Sequence, residues 1–189
     1  MSTKIQPTQH RFFTVGYQAY SADSFISDLK VNGIELLIDV RENPFSFKRG
    51  FSRSGLTSMC SSAGVGYEHR RELGTPREIR TVYKETGDAA LALRRYDKYL
   101  KENIHLLDFL VSAIRCQKVC ILCLEHDHTT CHRGVIARKV QEIAEWATPV
   151  HLTINGSRNE RSSLDAPIRN LARSTSKRSA LEPLPKMVS

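Results

Sequence analysis

Along the chain, short and nearly unbroken apolar runs alternate with longer stretches in which apolar residues recur every three or four positions. Residues 11–15 predict a strand that ends at Gly16. Ser21 then stands where a helix cap belongs, with Phe25, Ile26 and Leu29 on one face and Gly33 at the stop. Residues 34–40 are apolar except for Glu35 and Asp39, as expected of a strand buried on both faces. Leu56, Met59, Cys60 and Ala63 have helical spacing closed by Gly64, and residues 65–68 predict a short strand. Thr75-Pro76-Arg77-Glu78 predicts a helix start, with Thr75 as cap, Pro76 in the first helical position and Glu78 completing a capping box. Further helices are predicted over residues 89–101, with Leu93, Tyr96 and Leu100 inward, and from Asn103, with Leu106, Leu107, Leu110, Val111 and Ile114 inward. Residues 119–124 predict another buried strand. A helix from Thr130 or Cys131 through Trp146 turns Val135, Val140, Ile143 and Ala144 inward, and residues 150–154 predict the last strand.

Strands alternating with helices imply a single Rossmann-like α/β domain, with a mostly parallel sheet of about five strands covered by helices on both faces. The expected boundaries are a flexible segment over residues 1–10, the domain over 11–156, and a basic, mostly disordered tail over 157–189. There is no internal repeat. Ligands of such sheets sit at the carboxyl ends of the strands, and there the polar residues gather. Gly16 and Tyr17 follow the first strand, Asp39 and Arg41 end the second, and His69, Arg70 and Arg71 follow the third. Cys123 and Glu125 end the fourth, and Cys131, His132 and Arg133 open the next helix. Residues scattered over more than a hundred positions are thereby expected on one rim.

Composition narrows the class. A length of 189 residues suits one domain, and the longest apolar run is far short of a membrane span. The N-terminus lacks the basic-then-apolar order of a signal peptide, so a cytoplasmic protein with no membrane partner is expected. Five cysteines, four of them close together, do not suggest a disulfide framework and fit a reducing compartment. The net charge of +8 is carried by residues 41–80 and 157–189, each with an excess of four positive charges. That balance favours nucleic acid or a phosphorylated small molecule as partner.

The residue types on the rim suggest several chemistries. At a helix start, Cys131 meets unpaired backbone N–H groups and the helix dipole, which favour a thiolate or a bound anion. With His132 and Arg133 it either reacts or holds phosphate; alternatively Cys131 caps or packs, and His132 and Arg133 bond to the loop. Cys123 and Glu125 share one side of an extended chain, where Glu125 serves as general base, as metal ligand, or as ion-pair partner of Arg41 or Arg133. Asp39 and Arg41 also share a side, as a ligand-facing pair or as a strut between loops. Zinc has enough ligands nearby in Cys116, Cys120, Cys123, Cys131, His126, His128 and His132. But Cys120 and Cys123 face opposite sides of one strand, and no finger-type spacing repeats. No cofactor or metal is required by the sequence. Residues 45–53 interleave Phe45, Phe47 and Phe51 with Lys48, Arg49 and Arg53, a pattern able to stack bases, although Phe51 is expected to tuck under the rim.

Several motifs occur together in order: Thr14-Val15-Gly16; Leu37-Ile38-Asp39-Val40-Arg41 with Pro44; Phe51; Gly64 to Tyr67; Glu72-Leu73-Gly74; Leu122-Cys123-Leu124-Glu125; and Cys131-His132-Arg133. Over about residues 13–156 the chain thereby resembles the domain of unknown function 488 family. The resemblance implies a compact α/β fold and leaves the activity open. That family usually carries Gly-His after the first strand where this chain has Gly16-Tyr17, so a role of that histidine does not carry over. Ile38-Asp39-Val40-Arg41-Glu42 is also similar to rhodanese-type sulfurtransferases, but their cysteine loop leads straight into a helix, whereas seven residues separate Cys123 from Cys131.

The expectation is an enzyme acting on a nucleic acid, nucleotide or other phosphorylated substrate. Cys123, Glu125, Cys131 and His132 would do the chemistry, and Gly16, Tyr17, Asp39, Arg41, Arg70 and Arg133 would bind substrate or phosphate. A non-catalytic nucleic-acid-binding or regulatory module, and a thiol-dependent sulfurtransferase or redox protein, are the alternatives.

Overall fold

The computed structural model describes residues 9–154; residues 1–8 of the segment expected to be loose over 1–10, and the basic tail, lie outside the described residues, while His10 already opens the first strand. The sheet comprises β1 (His10–Gly16), β2 (Leu36–Asp39), β3 (Gly66–His69), β4 (Val119–Cys123) and β5 (Ala147–Leu152). Their order is β3-β2-β4-β1-β5, and every pairing is parallel. The helices are α1 (Ala22–Val31), α2 (Arg53–Ser62), α3 (Arg77–Thr86), α4 (Ala89–Glu102), α5 (Asp108–Cys116) and α6 (His132–Ile143). None of them is long and apolar enough to cross a membrane.

Strand alternation divides the core into two layers. Phe12, Ile38 and Ile121 turn to one face with Tyr96, Leu100, Leu110, Ile114, Ile136 and Val140 of α4 to α6. Phe13, Leu37, Cys120 and Leu122 turn to the other with Phe25, Leu29 and Leu56 of α1 and α2. Burying each such Leu, Ile or Phe side chain contributes roughly 1.5–3 kcal/mol. β1 leads to α1 on one face and β4 to α6 on the other, and the two strands are neighbours. A crevice therefore opens at their carboxyl ends, where the direction of winding reverses.

Several boundaries differ from those predicted; the helix expected from Asn103 opens as a 3-10 turn over Ile104–Leu107, and α5 begins at Asp108. Pro76 is extended (φ −53°, ψ 150°), so α3 starts at Arg77, Thr75 lies outside the cap position, and no side chain caps the helix. α6 ends at Ile143, because residues 144–146 turn so that the Trp146 ring stands edge-on to His10, with centroids 5.2 Å apart. β5 then begins at Ala147 and accommodates Pro149, since an edge strand can forgo one ladder donor. Ser21 caps α1 as expected, through a capping box closed by Ser24.

Candidate functional site

The site is assembled where β1, β2 and β4 end. β4 delivers Cys123, 2% exposed, into the layer beneath α4 and α6. Two residues on, Glu125 points the same way. Cys131, in the N-cap position of α6, and His132, the first helical residue, face them from across the loop. The two thiols each donate to the same Glu125 oxygen, Oε2, over 3.0 Å. His132 Nδ1 lies 3.6 Å from Cys123 Sγ and 4.0 Å from Cys131 Sγ. One ligand atom from each of the four residues falls within 4.8 Å of all the others. His132 is oriented from behind, because its Nε2–H donates to the Val40 carbonyl at the end of β2, over 3.0 Å.

The loop that carries Glu125 is clamped. Arg133, 1% exposed, donates to the carbonyls of Glu125 (2.5 Å) and His126 (2.9 Å). Gln18 N–H donates to the Leu124 carbonyl. Gly16 is required at the end of β1 because a Cβ there would stand 1.6 Å from the Glu125 carbonyl oxygen.

Electrostatics separate the two thiols. Burial opposes ionisation of Cys131, but the neighbouring Cys123 and His132 side chains and the charge of Arg133 outweigh it and carry the thiol well below its usual value. Burial, reinforced by Cys131, pushes Cys123 well up. Burial also raises Glu125, as does the nearby Cys131. His132 is raised, its burial outweighed by the bond and charge of Cys131.

The other expected residues have different fates. Asp39 is fully buried and grips Arg41 through Oδ1 to Nε (2.8 Å) and Oδ2 to Nη2 (2.6 Å). Tyr67 donates to the same carboxylate, and Arg41 also donates to Tyr17 Oη and to the Phe51 carbonyl. Tyr17 stacks on Phe51, which is buried as expected. Arg70 sits at the sheet edge between Glu68 and Glu72, 3.4 Å above the Phe109 ring, away from the thiols. Of the residues expected to bind phosphate, Tyr17 and Arg41 line the pocket at the thiols, and Gly16, Asp39, Arg70 and Arg133 do not. Arg133 does not reach the pocket because its donors are turned to the loop carbonyls. Of the wider set of zinc-type ligands, Cys116 lies exposed at the end of α5, Cys120 packs on the opposite face of the sheet, and His128 stacks on His151.

The pocket has a volume of about 460 Å³, with Cys123, Glu125 and His132 on its floor. Its outer wall comes from α3 and α4, chiefly Ile79, Arg80, Tyr83, Lys84, Leu93 and Tyr96. Ile79, Arg80, Tyr83 and Lys84 of α3 escaped the sequence reading, whereas Leu93 and Tyr96, expected to turn inward, do pack in the core and also border the pocket. The available signal was Arg80 and Lys84, four apart on one helical face. A larger and shallower hollow of 800 Å³ beside α2 is lined by Pro44, Phe45, Arg53 and a run of Ser and Thr residues, and holds no thiol or carboxylate.

A family model described as Domain of unknown function DUF488 matches residues 21–140, spanning the rim residues from β2 to α6. No curated protein and no solved structure matches the chain.

Proposed function

The chain belongs to the DUF488 family, and from there we propose that it is an enzyme acting on a nucleotide or another small phosphorylated ligand, with Cys123, Glu125, Cys131 and His132 as its reactive centre. The observation that carries this reading is the position of Glu125. One of its oxygens touches both thiols, while the side chain also lines the pocket. A carboxyl so placed can take a proton from a bound ligand or water and return it. The pocket volume lies in the range of small-molecule sites, roughly 300–1,000 Å³. Tyr83, Tyr96 and Leu93 suit a flat or apolar body, and Arg80 and Lys84 suit an anionic end. Arg41 is engaged by Asp39, so in this reading the anion falls to the α3 pair, of which Arg80 also meets Glu42.

The test is turnover of a panel of nucleotides and phosphorylated small molecules, followed by mass spectrometry of the products. Glu125→Gln is expected to lower turnover by about 10²–10⁴-fold with ligand affinity little changed, and Lys84→Glu to weaken binding. Undiminished turnover by Glu125→Gln overturns the reading. A binding module without turnover draws support from Phe47, 96% exposed and packed edge-on against Phe45 beside the pocket. It predicts salt-dependent binding of single-stranded RNA or DNA that Glu125→Gln leaves intact.

A further inference from the structure

We propose that Cys123, Cys131, His132 and Glu125 form a zinc site at the floor of the pocket, with Glu125 as the ligand that a substrate or water displaces. The inference takes from the proposed function only the location of the centre. It answers a question that reading leaves open: what two thiols and an imidazole do around one carboxylate.

The first argument is spacing. Zinc holds sulfur at about 2.3 Å and nitrogen or oxygen at about 2.0–2.2 Å, so the edges of its tetrahedron measure roughly 3.3–3.8 Å. The separations here are 3.0 Å from each sulfur to Glu125 Oε2, and 3.6 and 4.0 Å from the sulfurs to His132 Nδ1. All four atoms lie within 4.8 Å of one another. Drawing Glu125 Oε2 back from the sulfurs by about half an ångström and closing the longer separations places each on a tetrahedron around one ion. Two thiolates, an imidazole and a carboxylate are also a donor set that selects zinc over the harder magnesium or calcium.

The second argument is orientation. His132 reaches the cluster through Nδ1 because Nε2–H is held by the Val40 carbonyl. A metal-binding histidine is normally fixed in this way by a partner on its other nitrogen. Both cysteines come from fixed positions, the end of a central strand and the start of a helix, and Arg133 pins the intervening loop by two carbonyls. The four donors are thus held in place by the fold.

The third argument is the difference among the four. Cys123 and Cys131 are buried, whereas Glu125 is partly exposed and opens on the pocket. A catalytic zinc keeps three firm ligands and one exchangeable position. Here the two cysteines and His132 supply the three, and the place of Glu125 is the exchangeable one. Ligation sends the remaining thiol protons to solvent, so affinity rises with pH.

The test uses the full chain, purified without added metal, stripped with a chelator and titrated with zinc against a competing indicator. One equivalent per chain is expected. Cobalt(II) in place of zinc is expected to give thiolate-to-cobalt charge-transfer bands and the intense visible bands of a tetrahedral centre. Cys131→Ser and His132→Ala should each weaken zinc binding by 100-fold or more, whereas Glu125→Gln should keep the charge-transfer bands. The proposal is overturned if the wild-type chain binds less than a fifth of an equivalent, shows no charge-transfer bands, and leaves the Cys123 and Cys131 thiols open to alkylation in the presence of zinc. These readouts need no turnover. A chain that binds zinc but converts no ligand leaves the site standing and removes the proposed enzyme, and a chain that turns over but fails the three zinc readouts does the reverse.

Discussion

Two buried polar clusters sit side by side at the carboxyl ends of neighbouring strands, and they are balanced in opposite ways. At the end of β2, Asp39 is answered by Arg41 and by the Tyr67 hydroxyl, and Arg41 spends its remaining reach on Tyr17 and the Phe51 carbonyl. Each charge has its counter-charge inside the cluster. At the end of β4, two sulfurs, a carboxylate and an imidazole face one another, and the nearest guanidinium, Arg133, is turned to the loop carbonyls behind them. The first arrangement is a closed set of ion-pair and hydrogen-bond partners and works as a strut; in the second, no carboxylate–guanidinium pair is made, and in the proposed reading it is the reactive centre. Burial of polar groups does not by itself distinguish a site from a brace, whereas the balance of charge within the group does.

The largest effect that can break this comparison is at Asp39. Asp39→Asn strips a buried Arg41 of its counter-charge, which is expected to cost about 3–5 kcal/mol, read as a shift in the midpoint of urea unfolding. Glu125→Gln is the matched change across the divide. Measured on metal-free protein, it should alter stability by no more than about 1 kcal/mol, because it breaks no carboxylate–guanidinium pair of the Asp39–Arg41 kind. Similar losses for both variants would erase the distinction between strut and site.

Much of the frame was legible because its signals are local. Apolar runs such as 119–124 mark strands covered on both faces, and period two put Cys123 beside Glu125 and Asp39 beside Arg41. The same regularity concealed which pair was which. An acid and a base two apart in a strand look alike whether they hold each other or a ligand, and the choice depends on Tyr17, Tyr67 and Phe51 arriving from elsewhere in the chain. The two readings of Arg133, anion holder and loop tie, look alike in sequence for a related reason. A helix-start arginine suits an anion, yet this one turns back to carbonyls that only the folded loop brings within reach. The pocket wall was less legible because Tyr96 and Leu93 are core residues that also border the pocket, and a core period does not show which edge faces a cavity. Where α3 and α4 end up over the rim is decided by long-range packing, such as the Tyr96 hydroxyl donating to the Leu73 carbonyl.

Arg133 offers the intermediate effect. Arg133→Met keeps the bulk and leaves two loop carbonyls without their donors, at about 1–3 kcal/mol. Because the clamp lies behind Glu125, turnover and zinc affinity should fall together, while thermal unfolding shifts less than in Asp39→Asn. A variant that loses stability but keeps both functions would show that the site is positioned by β4 and α6 alone.

The smallest effect concerns a third way of balancing a polar group on this rim, by keeping it neutral. His151 stacks on His128 with ring centroids 3.5 Å apart, and its Nδ1 pairs with the hydroxyl of buried Thr14 over 2.7 Å. Burial, then the charge of His128 and of Arg133, lowers its pKa to about 4. The unfolded chain, with an ordinary histidine near 6.5, binds more protons between those two values, so stability rises with pH across that window. It is full above the unfolded value, falls as the pH drops, and levels off below the folded one. Allowing for the partial exposure of the ring, stability should be lower at about pH 5 than at about pH 7.5 by on the order of 1 kcal/mol. His151→Phe retains a ring for the stack and should flatten that slope. A slope that survives the substitution would assign the proton uptake to other groups and leave the neutral pair outside the comparison.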